Sequence, residues 1–278
     1  MKNIYDNVSA SCSKLITREY STSFSLGIYF LNKKFHIPIY GIYGFVRVAD
    51  EIVDSFHTYD KVSLMKRLRM DTVDAIQNKI SVNPILNSLQ EVVNTYHIEW
   101  ELIDTFLKSM EMDLDEKAYT PDSYNQYILG SAEVVGLMCL RVFAEGDDRL
   151  YQELKPFAMK LGAAFQKVNF LRDLKADYEV LGRTYFPDVN FSRFSTIDKE
   201  KIQQEIEQDF AEALIGIKKL PKESRRGVYL AYFYYSKLFL RIKKTPPEKV
   251  MSARIRISDS NKLGLMFQSL LRHQLNLL

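Results

Sequence analysis

Almost every stretch longer than a dozen residues in this chain repeats its apolar side chains three and four positions apart, the interval at which one face of an α-helix returns. Strands would need alternation in twos, and the residues that punctuate short elements are scarce, with 11 glycines and 8 prolines in 278 residues. The expected fold is therefore all-α. No Pro/Gly/Ser-rich linker or shift in composition divides the chain, so residues 1–278 are expected to form a single-domain helical bundle. A hydrophobic content of 46% beside 26% charged residues supplies a sizeable core and excludes a disordered chain.

A helix is expected to open near Pro38, with Ile39, Ile42, Phe45, Val46, Ala49, Ile52, Val53 and Phe56 on a broad buried surface. Residues 150–177 read as a second helix that is apolar around much of its circumference. Further helices are expected over 61–78, 84–97, 99–115, 121–145, 197–218 and 225–243.

Several functions are excluded early. Cys12 and Cys139 lie far apart, which argues against a disulfide framework and fits a reducing cytoplasm; the histidines have no zinc-ligand spacing. The first residues lack a secretion signal, and no run approaches the ~18 apolar residues of a membrane span. A net charge of +3 is too small to argue for nucleic acid, and no nucleic-acid-binding motif is present. From Lys237 to the end, however, cations including Arg241, Lys243, Lys244, Lys249, Arg254, Arg256, Lys262 and Arg272 face only Glu248 and Asp259. Such a segment suits an anion or an anionic membrane surface, or is simply a solvated helix face.

Two polar stripes carry the chemistry. In YGFVRVADEIVD, the positions 43, 47, 50 and 54 align Tyr43, Arg47, Asp50 and Asp54 on one line of the helix. In FQKVNFLRDLKAD, the positions 166, 169, 173 and 177 align Gln166, Asn169, Asp173 and Asp177 in the same manner. A line of acids in a buried helix costs several kcal/mol unless something binds it. Carboxylates with an amide, and no thiol or imidazole, are hard oxygen ligands suited to Mg²⁺ shared with substrate phosphates. Arg47 and Arg172 would then grip phosphate oxygens through their guanidinium forks. An acid pair at i, i+4 is most often a solvated face, and periodicity alone leaves that alternative open.

These residues resemble the squalene/phytoene synthase family, and within it the bacterial phytoene synthases. The resemblance runs from YSTSFSLGIYFL at residues 20–31, through YGFVRVADEIVD, MEMDL at 110–114 and GSAEVVGLMCLRVF at 130–143, to the stretch that ends GRTYFP at 187. D-x-x-x-D is weak alone, but with N-x-x-R-D-x-x-x-D and G-R-x-Y-x-P it is specific. After Pro187 the likeness thins until the basic stretch near Arg254.

The resemblance implies an isoprenoid-synthase fold with a central cavity, in which two geranylgeranyl diphosphates join head to head through a cyclopropylcarbinyl diphosphate to give phytoene, the entry to C40 carotenoids. It implies Mg²⁺, with Mn²⁺ as a substitute, and no NADPH. Asp50, Asp54, Asp173 and Asp177 match the metal-binding aspartates, with Asn169 as a further ligand. Ser21, Ser23, Arg47, Arg172 and Arg254 match diphosphate-contacting positions, and Tyr43 and Tyr127 match aromatic positions near the reacting carbons. Gln166 falls on the substrate side, and Phe24, also on that side, is expected with Leu26, Met138, Met159 and Ala163 along a prenyl tunnel.

Departures from the family pattern are Glu133 and Ala176, with Leu181 where an arginine is frequent. Rival readings are a dehydrosqualene or squalene synthase using farnesyl diphosphate, and a catalytically silent scaffold, against which the intact aspartates argue. A hydrocarbon product implies a cytoplasmic protein in peripheral contact with the inner face of the cell membrane.

Overall fold

The computed structural model describes residues 2–115, 118–187, 189 and 194–255. Its helices follow the apolar period closely. Helix α3 (His36–Asp54) buries Ile39, Ile42, Phe45, Ala49, Ile52 and Val53 as expected, but it ends at Asp54 and leaves Phe56 37% exposed on the turn beyond. Helices α4 (Lys61–Asn78), α5 (Pro84–Tyr96) and α6 (Trp100–Asp115) begin where the sequence places them. Their starts have local causes. The Asp60 carboxylate accepts from the Ser63 amide at 3.0 Å, and Asn83 caps a helix whose first position is Pro84.

Two helices precede these. Helix α1 (Lys2–Tyr20) buries Ser9, Ser13 and Thr17, and helix α2 (Thr22–Tyr29) follows after a single residue. The expected helix over 121–145 is divided into α7 (Pro121–Ile128), a π-helical turn (Leu129–Glu133) and α8 (Val134–Ala144). Contact with α6 explains the position of the break, because a Cβ on Gly130 would lie 2.5 Å from that of Ser109. Pro121–Ala144 is, against expectation, long and apolar enough to cross a membrane, with a mean hydropathy of 1.6. It is core material here, since 61% of its apolar window is buried.

Helix α9 (Asp148–Ala176) is the longest and lies between α8 and α10 (Thr196–Lys219). It runs antiparallel to α7 and α8: Tyr127 faces Phe170 with ring centres 5.9 Å apart, and Gly162 meets Ala132 so closely that a Cβ would approach the Ala132 carbonyl oxygen to 2.6 Å. A second π-helical turn (Asp177–Leu181) ends it. Helices α11 (Lys222–Lys243) and α12 (Pro247–Ser252) complete the described fold. No strand occurs among the described residues, only an isolated bridge between Ala118 and Thr184.

Three hydrophobic clusters result, a small one of Ile217, Tyr229 and Phe233 beside two large ones. One large cluster gathers Phe35, Phe45, Phe106, Leu107 and Met138 from α3, α6, α8 and the turn before α3; the other gathers Val168, Phe170, Leu171, Leu238 and Phe239 from α9 and α11. A cavity of about 510 Å³ lies between them, within the size range of small-molecule sites.

Candidate active site

Helices α3 and α9 bring both polar stripes to this cavity. Tyr43, Arg47, Asp50 and Asp54 line it from α3, while Gln166, Asn169, Arg172 and Asp173 line it from α9, with Asp177 just past that helix's end. Phe24, Tyr127 and Arg254 line it as well. Ser21 and Ser23 do not. Ser21 is the N-cap of α2, its hydroxyl accepting from the Phe24 amide at 3.2 Å, and it also hydrogen-bonds Tyr43. Of the expected tunnel residues only Phe24 lines the cavity; Met138 is packed into the core with no exposure. The apolar end is made instead by side chains such as Leu31, Cys139, Phe143, Leu154, Phe157 and Leu220.

The charge at the mouth is unbalanced. Burial, and then repulsion from Asp54, pushes the Asp50 carboxyl up to about 7. Burial does the same at Asp177, with Asp173 and then Asp54 adding like charge, so that it too rises to about 7. The contribution of Asp54 shows that the two stripes feel each other across the cavity. Asp173 is bridged by Arg172 at 2.5 Å and by Arg254 at 2.7 Å, whereas Asp177 enters no ion pair among the described residues. Arg47 is divided between Glu51 and Asp50, the latter at 3.8 Å, and its guanidinium lies 4.3 Å from the Tyr20 ring centre. Its Nε is buried without a partner. Among the described residues no three acid, imidazole or thiol groups converge into a ready-made metal cage.

Asp113 and Arg183 support this mouth from behind, and the stripe pattern missed both. Asp113, buried on α6, accepts from Tyr127 at 2.7 Å and Tyr119 at 2.8 Å; burial pushes its carboxyl up to about 6 despite Arg183 nearby. The Tyr127 hydroxyl is thereby committed to Asp113, and its ring forms the cavity wall. Buried Arg183 donates to Asp54 Oδ1 and to the Asp113 carbonyl, both at 2.9 Å. Gly182, with φ of 67°, provides the left-handed turn that delivers it.

Below the charged mouth sits an aromatic collar. Phe165 and Tyr235 stack with centres 4.0 Å apart, and Phe24 touches Tyr43, Phe165 and Tyr235 at 5.1, 6.4 and 6.2 Å. Tyr235 also donates to Asn169 Oδ1 at 3.3 Å. Nothing local in the sequence marks Tyr235, because its partners lie on other helices. Glu133 is absent from the cavity wall, where Ser131 and Ala132 stand; burial and Asp209 raise its carboxyl, with Lys160 and Lys167 nearby. Arg256, Lys262 and Arg272 of the basic segment lie outside the described residues, as does the side chain of Ala176.

The arrangement can therefore hold an anion through guanidinium groups, hold cations through hard oxygen donors, and enclose a long apolar group beneath. Comparison with known proteins agrees with this. The family model for squalene/phytoene synthase matches residues 17–261. Among curated proteins, the chain is 27% identical over 245 residues to a 15-cis-phytoene synthase of a Paracoccus species, an alignment covering 81% of this chain and 79% of that one. It is 25% identical over 201 residues to a 4,4'-diapophytoene synthase of Staphylococcus haemolyticus, covering 70% and 66%. Among solved structures, it is similar in fold to a dehydrosqualene synthase with a TM-score of 0.82 at 21% identity, covering 97% of this chain and 98% of that one. A squalene synthase from Alicyclobacillus acidocaldarius gives a TM-score of 0.76 at 19% identity, covering 87% and 95%.

Proposed function

We propose, starting from the fact that this chain belongs to the squalene/phytoene synthase family, that it joins two molecules of geranylgeranyl diphosphate head to head to give phytoene. The observation that carries this reading is the pairing of Asp50 and Asp54 with Asp173 and Asp177 across the mouth of an apolar cavity. Curated relatives named phytoene synthase support the C20 substrate, while the relative named diapophytoene synthase supports the alternative, a C30 product from farnesyl diphosphate.

The donor set fits Mg²⁺ or Mn²⁺. Asp50 and Asp177 are carboxylates whose charge is held back until cations arrive, and Mg²⁺ favours few protein carboxylates with substrate phosphates completing its shell. Asp50, Asp54, Asn169, Asp173 and Asp177 would hold the metal, which supplies Lewis-acid neutralisation of the departing diphosphate.

The remaining steps belong to the chain. Arg47, Arg172 and Arg254 bind and orient phosphate oxygens. One allylic diphosphate ionises; the alkene of the second substrate attacks the carbocation, and loss of a proton closes a cyclopropylcarbinyl diphosphate. Its ionisation, rearrangement and final proton loss give the triene-centred hydrocarbon without a reductant, whereas squalene would require hydride from NADPH. The faces of Phe24, Tyr43, Phe165 and Tyr235 stabilise positive charge where the collar narrows the path. The apolar end keeps water from the cation.

The test is incubation with geranylgeranyl or farnesyl diphosphate separately, with and without NADPH, followed by mass analysis of extracted hydrocarbon. A C40 product from geranylgeranyl diphosphate alone supports the proposal. C30 alone moves the substrate to farnesyl diphosphate, and no hydrocarbon from folded protein favours a silent scaffold.

A further inference from the structure

The cavity's apolar end lies next to a basic surface. From Phe157 to Asp173, helix α9 rises ~24 Å, so the end walled by Phe157 is remote from the aspartates. Its wall there is thin. The Phe157 ring lines the cavity, and the exposed Lys219 ammonium lies 5.5 Å from that ring's centre. Helices α2 and α11 close the neighbouring wall through two glycines: a Cβ on Gly227 would approach the Gly27 carbonyl oxygen to 2.6 Å and Leu31 to 2.5 Å.

Outside this wall, Lys33, Lys218, Lys222 and Arg226 are exposed and enter no ion pair among the described residues. The nearby acids are mostly engaged. Glu145 pairs with Lys34 at 2.5 Å, Glu153 with Lys219 at 2.9 Å and Asp148 with Arg141 at 2.5 Å, while Asp147 caps α9, which leaves Glu223. Aromatic and aliphatic side chains stand among the cations. Tyr29 is 67% exposed, its ring meets that of Phe30 at 5.4 Å, Arg226 lies 5.1 Å from the Phe30 ring centre, and Ile37 is 56% exposed. Cations interleaved with tyrosine and apolar groups suit the headgroup region of an anionic bilayer, where each Lys or Arg adds attraction. Another exposed apolar stripe, Ile4, Val8 and Leu15 on α1, does not wall the cavity.

We infer that this end of the bundle, formed by α2, the turn after it and the α10–α11 junction, docks on an anionic lipid surface and presents the hydrocarbon end of the cavity to the membrane. The choice of this end rests on the reading of the cavity as a prenyl site.

The test is flotation with vesicles of phosphatidylcholine and phosphatidylglycerol in equal parts, and with phosphatidylcholine alone. A variant combining Lys218→Gln, Lys222→Gln and Arg226→Gln is compared with one of equal charge loss elsewhere, Lys66→Gln, Arg67→Gln and Lys201→Gln. The docking surface predicts ~100-fold weaker partitioning onto the anionic vesicles for the first variant and wild-type partitioning for the second. It also predicts unchanged activity of both on detergent-dispersed substrate and weakened binding by Tyr29→Ala. Equal losses by both variants, equal retention by both, or no flotation of the wild type would each overturn it. Because flotation needs no turnover, vesicle binding through this end without hydrocarbon synthesis would sink the prenyl reading alone, and synthesis without binding would sink the surface alone.

Discussion

Arg183 reaches the mouth of the cavity and donates to Asp54 Oδ1 at 2.9 Å, although 129 residues separate the two in the chain. The same guanidinium donates to the carbonyl of Asp113 and lies 3.5 Å from its carboxylate, so one buried cation fixes α3, α6 and the end of α9 relative to one another. Arg183→Leu leaves Asp113 buried without its counter-charge and is expected to destabilise the protein by about 3 kcal/mol, measured by urea denaturation. Arg183→Lys keeps the charge but not the fork, and should lower turnover with a smaller loss of stability.

Asp50→Asn and Asp177→Asn should act oppositely on stability and activity. Each removes like charge from a crowded mouth, so the unliganded variant should melt above the wild type at pH 8. Turnover should fall ~100-fold or more, because the same charge is the one proposed to hold the metal. Thermal melts and hydrocarbon yield on the same preparations check both.

The pH dependence has a fixed sign. Asp50 and Asp177 are raised in the folded protein from 3.8 to about 7, so the native state binds protons more tightly than the unfolded chain. Their stabilising contribution is complete below 3.8 and is lost as pH rises through 7. Urea midpoints of the unliganded protein should therefore fall between pH 5.5 and pH 8, as far as these two groups control them. Mg²⁺ with inorganic pyrophosphate should flatten the dependence.

The collar should separate ring from hydroxyl. Tyr235→Phe keeps the stack on Phe165 and loses the 3.3 Å bond to Asn169, so a modest loss of turnover is expected. Tyr235→Leu removes a cation-facing ring and should lower hydrocarbon yield ~30-fold, with prenyl alcohol appearing in the extracts as water captures the cation.

The contrast between stripe and support explains what the sequence discloses. Asp50, Asp54, Asp173 and Asp177 are legible because each pair falls four residues apart in a segment rich in apolar side chains and inside a motif that resembles the family's. Helix α1 is illegible for the opposite reason: its buried positions Ser9, Ser13 and Thr17 are small and polar and pack closely on its neighbours, while its apolar Ile4, Val8 and Leu15 are exposed. The π-helical turn after Ile128 depends on Gly130 meeting Ser109 of another helix, which no local pattern records. Asp113, Arg183 and Tyr235 gain their places only through contacts between distant segments. Ser21 shows the reverse, a motif position whose local capping geometry takes it off the cavity wall.

The most direct test of the central claim is a crossover experiment: protein and Mg²⁺ are incubated with an equal mixture of unlabelled and fully deuterated geranylgeranyl diphosphate, and the hydrocarbon is weighed by mass spectrometry. Head-to-head joining of two substrates predicts a C40 product in three mass classes, the mixed class being the most abundant. Labelled and unlabelled C20 products with no mixed species would contradict it, because each substrate would then have reacted alone.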